Sequence, residues 1–206
     1  MNFDRVARHY RWLEMLVFGS QLQKARTAFV RQIDPPRRVL IVGEGDGRFL
    51  AQFVRAYPQA AIDCLESSAR MIGFARRRLA PARVRFLLED VRSAKFPAGH
   101  YDLVVTHFVL DCFSERSLAE VVARLACAAA PGASWLLADF RQPRAGWKRW
   151  HARFWLRLMY GFFRLTTDLE AAELVDPSPS LCEGGFRLRS QRLSRFGMIK
   201  SELWRS

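Results

Sequence analysis

The chain has 206 residues, of which half are hydrophobic, and a formal net charge of +13. This composition excludes a disordered chain, and the length suits one domain with its own core. Charged residues interrupt every apolar stretch well before a membrane span would be complete, so we expect no transmembrane helix and a cytoplasmic protein. The four cysteines form no Cys-x-x-Cys pair, and no metal site is expected.

The first predicted element is a helical cap over residues 1–33, because apolar side chains recur there at helical spacing. Asp34-Pro35-Pro36 ends this cap, since the residue before a proline disfavours the helical conformation. The cap therefore precedes a separate structural core.

From residue 37 to residue 140, short apolar segments alternate with amphipathic ones. The predicted strands span 38–42, 61–65, 84–88, 101–106 and 134–139, and the predicted helices span 48–57, 68–79 and 114–129. This alternation is typical of a parallel sheet with helices on both faces. Right-handed crossovers then produce a doubly wound α/β fold.

Two further segments complete a single domain over residues 1–206. Residues 146–185 are predicted to form a helical insertion, with one long helix over 146–168. Residues 186–206 are predicted to form a hairpin of two strands around Phe196-Gly197.

The segment VLIVGEGDGRFL runs from the first strand into a helix through Gly43, Gly45 and Gly47. Glycines at alternate positions let the backbone pass close to a ligand and leave N–H groups free at the helix start. The third glycine comes one residue earlier than in the G-x-G-x-x-G fingerprint. This spacing disfavours a nicotinamide-dependent oxidoreductase.

Acidic residues end the next two strands. Glu66 follows the second strand about 20 residues after the glycines, where a carboxylate accepts hydrogen bonds from both hydroxyls of a ribose. Asp90 ends the third strand and is placed to accept from an adenine amino group. Both acids therefore suit an adenosine-containing ligand.

Five segments together resemble the motifs of class I S-adenosylmethionine-dependent methyltransferases, in that family's order: VLIVGEGDG, CLESS, FLLEDV, YDLVVTHFVLDCF and PGASWLLADF. The resemblance covers residues 37–140. It implies a Rossmann-like sheet of seven strands whose last strand is antiparallel, with S-adenosylmethionine as cofactor. The N-terminal FDRVARHYRWLEMLVFGS is also loosely similar to the ubiquinone/menaquinone C-methyltransferase branch.

The resemblance assigns roles to the matched positions. The cofactor contacts that it implies are Tyr10, Gly43, Glu44, Gly45, Asp46, Gly47, Glu66, Ser67, Met71, Asp90, Val91, His107 and Phe108. Ile41 stands where the family usually has an acid, so we infer that Glu44 or Asp46 holds the cofactor ammonium group. The alternative is that both acids only face solvent.

His107, at the end of the fourth strand, is the candidate general base, because the pKa of a histidine ordinarily lies near neutrality. His107 is equally a candidate for a substrate contact or for a residue that only lines the pocket. Asp111 lies four residues later and is placed to orient His107 if the segment is helical; the alternative is that it caps the next helix, a role for which Ser114 competes. Asp139 ends the fifth strand at the same rim, as a substrate contact or a structural residue.

The segment GWKRWHARFWLRLMYGFFRL alternates aromatic and basic residues at helical spacing. One interpretation is a helix packed on the sheet, and another is a lid over an aromatic or lipid-like acceptor, with Trp150 and Tyr160 as substrate contacts. A third is a helix peripheral to the inner face of a membrane. We therefore predict methyl transfer to a small-molecule or lipid-like acceptor.

Two alternatives stay open. An RNA methyltransferase would use the positive charge, although the chain shows no concentrated basic tail. DNA is disfavoured, because THFV replaces the Asn/Asp-Pro-Pro-aromatic motif of DNA amino-methyltransferases. The second alternative is a cofactor-binding protein without catalysis.

Overall fold

The computed structural model describes residues 20–79, 84–141 and 174–206. They form a seven-stranded sheet in the order β3-β2-β1-β4-β5-β7-β6. The strands are β1 Arg38–Val42, β2 Ala61–Glu66, β3 Val84–Leu88, β4 Tyr101–His107, β5 Ala129–Phe140, β6 Arg187–Ser194 and β7 Ile199–Arg205. The first five are parallel and β7 runs antiparallel to β5 and β6. The predicted fold is confirmed.

Five α-helices connect or flank these strands in the described residues: α1 Gln21–Arg26, α2 Arg48–Ala56, α3 Ala69–Arg78, α4 Glu115–Ala128 and α5 Ser178–Glu183. Short 3-10 turns lie at Val30–Gln32, Leu110–Cys112 and Arg195–Gly197. No helix in this part of the chain is long and apolar enough to cross a membrane. The predicted helix over 146–168 and the first part of the cap lie outside the described residues.

Alternating side chains place the core on both faces of the sheet. Leu40 and Val104 face a cluster that contains Trp135, whereas Ile41 and Val105 face a second cluster. This two-sided burial explains why β1 is almost uninterruptedly apolar. Because β1 to β5 run parallel, their carboxyl ends meet at one edge of the sheet.

The predicted start of the fifth strand is wrong by five residues. Helix α4 ends at Ala128 and β5 begins immediately at Ala129, so that Pro131-Gly132 lies within the strand. Ala129 pairs with Tyr101 and the regular ladder resumes at Ser134, which leaves an irregularity between the two pairings. Pro131 lacks a backbone N–H donor. Because it lies in that irregular part of the strand, it interrupts no regular ladder of hydrogen bonds.

Candidate active site

The loop between β1 and α2 contains three glycines with different surroundings. Gly43, Gly45 and Gly47 have φ angles of 69°, 73° and 84°, which strain any residue that carries a side chain. A Cβ on Gly43 would lie 2.9 Å from Val109, and one on Gly47 would lie 2.6 Å from the backbone of Ala75. A Cβ on Gly45 would meet no atom within 4 Å. The outer glycines therefore permit packing of the loop, and the middle one faces open space.

Glu66 joins this loop to the start of α3. Its Oε2 accepts a hydrogen bond of 3.0 Å from the backbone N–H of Gly45, and its Oε1 accepts one of 3.1 Å from the N–H of Ser68. Ser68 in turn caps α3 by accepting from the N–H of Met71, which explains why the helix begins there. The carboxylate thus lies next to the open space at Gly45.

Asp90 follows β3, the neighbour of β2 at this edge. Its Oδ1 accepts from the backbone N–H of Arg92 at 2.9 Å, and its Oδ2 pairs with the Arg92 guanidinium at 2.6 Å. These bonds to Arg92, opposed by partial burial, lower the pKa of the Asp90 carboxyl, so the group is ionised. Of the other predicted contacts near it, Ser67 is exposed whereas Met71 and Val91 are buried.

The two acids of the glycine loop have opposite environments. Asp46 accepts from Arg48 at 2.9 Å and from Arg78 at 3.1 Å, so two guanidinium groups compensate its charge. Glu44 is 6% exposed, and its Oε1 accepts from the N–H of Leu50 in the first turn of α2 at 2.8 Å. Burial raises the pKa of Glu44 to about 8, against the opposing effects of the Leu50 hydrogen bond and the Arg26 charge. The Glu44 carboxyl is therefore a much weaker acid than an exposed glutamate.

Arg26, at the end of α1, is a buried residue of this site that is not predicted from the sequence. Its guanidinium carbon lies 5.3 Å from the centre of the Phe108 ring, and its charge lowers the pKa values of Glu44 and His107. The chain has 33 Lys and Arg residues, and nothing in the spacing of Arg26 marks it among them. Phe108 itself has a φ of 56°, which turns the chain sharply after β4.

His107 is buried at the end of β4, with its ring edge-on to Phe49 at a centroid distance of 4.5 Å. Burial, followed by the charge of Arg26, holds the pKa of His107 well below its ordinary value, so the imidazole is neutral. Its Nδ1 is buried and has no hydrogen-bond partner within the described ranges.

The role of Asp111 in orienting His107 stays a prediction: Asp111 is not among the groups that shift the pKa of His107, and the His107 Nδ1 has no hydrogen-bond partner within the described residues. Successive side chains of a strand point to opposite faces of the sheet. His107 therefore lies on the same face as Leu103 and Val105. Asp139 lies on the opposite face, with Leu137. Asp111 lies in the turn Leu110–Cys112, and its negative charge raises the pKa of Asp139. Asp111 does not cap α4, because the Ser114 hydroxyl accepts from the N–H of Ser117.

Asp139 has an unusual environment for a carboxyl group. It is 1% exposed, and among the residues that the structure describes neither of its oxygens has a partner within strict hydrogen-bond geometry, although the nearby Val109 N–H and the Lys200 charge both lower its pKa. Burial, followed by repulsion from Asp111, raises its pKa well above the ordinary value. Lys200 stands opposite it on β7, but the Lys200 Nζ bonds to Asp176 at 2.8 Å and approaches Glu202 at 3.4 Å.

Three predicted contacts, Tyr10, Trp150 and Tyr160, lie outside the described residues. Within 20–79, 84–141 and 174–206, no three His, Cys, Asp or Glu side chains are grouped so that they could hold a metal ion. The part of the site that the structure describes consists of the glycine loop, the acids at the ends of β2 and β3, Arg26, and the ends of β4 and β5.

Comparison with known proteins identifies the matched segment. Residues 39–132 match a family described as Methyltransferase domain. An uncharacterized methyltransferase of Mycobacterium tuberculosis is 29% identical over 118 residues, which are 57% of this chain and 58% of that protein. The chain thus spans little more than half the length of the curated relative that it matches.

Two solved structures share the fold. An O-methyltransferase family protein from Burkholderia thailandensis superposes with a TM-score of 0.72 at 20% identity, over 98% of this chain and 61% of that one. The 1,6-didemethyltoxoflavin-N1-methyltransferase of the same organism, solved with bound 1,6-didemethyltoxoflavin and S-adenosylhomocysteine, superposes with a TM-score of 0.68 at 14% identity, over 97% of this chain and 83% of that one.

Proposed function

We propose that this chain, a member of the class I S-adenosylmethionine-dependent methyltransferases, transfers the methyl group of S-adenosylmethionine to a small-molecule or lipid-like acceptor. The observation that carries the proposal is the open space at Gly45, bounded by the Glu66 carboxylate at the carboxyl edge of a doubly wound sheet. Ligands of open α/β sheets bind at this edge.

The adenosine half of the cofactor fits the ends of β2 and β3. The Glu66 carboxylate can accept from two ribose hydroxyls while it holds the Gly45 N–H, because its oxygens offer several lone pairs. The ionised Asp90 carboxylate suits an adenine amino group.

The amino-acid half requires groups for one ammonium and one carboxylate. Glu44 and Arg26 are both buried, and the charge of Arg26 acts on Glu44. A buried acid beside a buried guanidinium complements such a zwitterion. Asp46 is a weaker candidate for the ammonium, because Arg48 and Arg78 already pair with it. We therefore assign Glu44 to the ammonium and Arg26 to the carboxylate.

Bound S-adenosylmethionine supplies a methyl group on a positively charged sulfur, which an acceptor nucleophile displaces in line. The protein contributes alignment and exclusion of water. His107 is neutral and buried, so it lines the space at the end of β4 without repelling a cationic sulfur. Phe108, beside it, adds an aromatic wall.

The acceptor class is proposed from the aromatic and basic segment over 146–168. Its aromatic side chains suit an apolar or lipid-like molecule, as a lid or at a membrane interface. The described part of the chain does not include this segment, so the acceptor assignment depends on its sequence alone.

The first experiment measures unfolding of the wild-type protein with S-adenosylhomocysteine and, separately, with NADH. A ligand at about 100 times its dissociation constant adds about 2.7 kcal/mol of stability. We expect a large shift with S-adenosylhomocysteine, a lost shift in Glu66→Ala, and a retained shift in Glu120→Ala, an exposed acid on α4. A shift with NADH alone would contradict the proposal.

A further inference from the structure

A cavity lies at the edge of the sheet opposite to the cofactor loop. The cofactor loop follows the carboxyl end of β1, whereas this cavity is bounded by the segment that precedes β1. Its volume is about 460 Å³, within the range of roughly 300–1,000 Å³ that is typical of small-molecule sites. We call it the β6 cavity; its walls include Ile33, Asp34, Ser134, Arg189, Leu203 and Arg205.

The β6 cavity combines apolar and hydroxyl-bearing walls. Ile33 and Leu203 are buried and belong to the same core cluster on one face of the sheet. Ser190 of β6 pairs with Leu203, and Ser134 of β5 pairs with the end of β7. The cavity therefore offers an apolar surface together with two hydroxyl groups that can donate hydrogen bonds.

An irregularity in β6 directs two consecutive side chains to the cavity. Leu188 pairs with Trp204 and Ser190 pairs with Leu203, so the intervening Arg189 has no partner of its own on β7. Successive side chains of a regular strand point to opposite faces, and an extra residue interrupts that alternation. Arg189 and Ser190 consequently both line the β6 cavity.

The charge around the β6 cavity is positive. Arg205 pairs with Asp34 at 2.9 Å, whereas Arg189 pairs with no carboxylate in the part of the chain that the structure describes. Arg187 adds a third guanidinium group on the same face, because it stands directly opposite Arg205. One carboxylate thus accompanies three cations, and the balance favours an anion.

We infer that the β6 cavity binds a small organic anion, whose phosphate or carboxylate group contacts Arg189 and Arg205 and whose apolar body lies against Ile33 and Leu203. A guanidinium group suits both anions, because its N–H groups donate in parallel to two oxygens. Asp34 competes with the anion for Arg205. The site is separate from the proposed cofactor site and does not depend on the proposed function.

Calorimetric titration with four compounds that share a benzyl group tests the charge of the ligand. We expect binding of benzyl phosphate, of phenylacetate or of both, and no binding of benzyl alcohol or benzylamine. Binding of only one anion identifies which oxyanion the site takes. The affinity should fall as the NaCl concentration rises, because salt screens exposed charges. No binding of either anion, or equal binding of benzylamine, would overturn the inference.

The same titration in the presence of S-adenosylhomocysteine tests the location. The β6 cavity lies at the opposite edge of the sheet, so the affinity for the anion should not change. Competition between the anion and S-adenosylhomocysteine would assign the anion to the cofactor loop and overturn the inference. Failure of the proposed function is a different result, because S-adenosylhomocysteine would then not bind while the anion still does.

Two exposed substitutions should change the anion affinity in opposite directions. Arg189→Gln should weaken binding about threefold to tenfold, because a charged donor is lost. Asp34→Asn should strengthen binding, because Arg205 loses its competing carboxylate. Arg116→Gln is the matched control: it removes the same charge from an exposed position on α4, which packs on the other face of the sheet. Equal weakening by Arg189→Gln and Arg116→Gln, or weaker binding by Asp34→Asn, would overturn the inference.

Discussion

The backbone N–H of Gly45 donates a hydrogen bond of 3.0 Å to the Glu66 carboxylate, across 21 residues of sequence. This bond fixes the middle of the glycine loop against the end of β2. The other oxygen of the same carboxylate holds the N–H of Ser68 at the start of α3. One side chain thus sets the shape of the loop and offers the acceptor atoms that a ribose requires.

Glu66→Gln should therefore lower both stability and cofactor affinity. The amide retains only one acceptor oxygen, so one of the two backbone N–H groups loses its partner, at a cost of about 1–3 kcal/mol. Urea unfolding with and without S-adenosylhomocysteine measures the two effects separately. Unchanged affinity for S-adenosylhomocysteine would show that Glu66 serves only the fold.

Gly45→Ala and Gly47→Ala form a matched pair, because both place an alanine at positive φ, at a cost of about 1–2 kcal/mol. Gly47→Ala should be the less stable variant, since its Cβ would also lie 2.6 Å from the backbone of Ala75. Gly45→Ala should lose more S-adenosylhomocysteine affinity, because its methyl group projects into open space at the proposed cofactor site. Calorimetric titration and unfolding of both variants check this; the reverse order of either effect would contradict it.

Glu44→Gln should change how stability depends on pH. The pKa of Glu44 in the folded protein is raised from 4.5 to about 8. The contribution of Glu44 to the free energy of unfolding is therefore complete below pH 4.5 and is lost as the pH rises to about 8. The stability of the variant should not decline in this way, and at pH 9 it should be higher relative to the wild type than at pH 5. Urea unfolding of the cofactor-free proteins at pH 5, 7 and 9 measures the difference; parallel profiles would exclude a buried protonated Glu44.

Cofactor binding should also release a proton if Glu44 pairs with the ammonium group, because an ammonium partner favours the carboxylate. Calorimetry of S-adenosylhomocysteine binding at pH 7, in buffers of different ionisation enthalpy, counts the protons. We expect net release by the wild type and none by Glu44→Gln. Equal proton counts for the two proteins would assign the ammonium to another group.

Arg26→Gln should weaken S-adenosylhomocysteine about tenfold while leaving adenosine binding unchanged, because adenosine lacks the carboxylate that Arg26 is proposed to hold. Lys24→Gln, an exposed residue of the same helix, is the control. Equal losses for both ligands would mean that Arg26 supports the site only by packing over Phe108.

The strands, the glycine loop and the positions of the strand-end acids were predictable because their signals are local. Apolar runs, the three glycines and the acids at the strand ends each follow from neighbouring residues, and the predicted strands at β1 and β3 agree with the structure. The start of β5 was not predictable in this way. The sequence Pro131-Gly132 is typical of a turn, and only the pairing of Ala129 with Tyr101 keeps it in the sheet.

The sequence by itself determined the fold class and the glycine loop, since strand periodicity and the positive φ that only glycine accepts freely depend on local chemistry. The tertiary structure alone decided the environment of each charge: Asp46 is paired with Arg48, burial raises the pKa of Glu44, and burial together with the charge of Asp111 raises the pKa of Asp139. Those pairings and pKa shifts depend on burial and on partners from distant segments, such as Arg26 beside Phe108. Burial and distance through space are physical quantities that residue order does not specify.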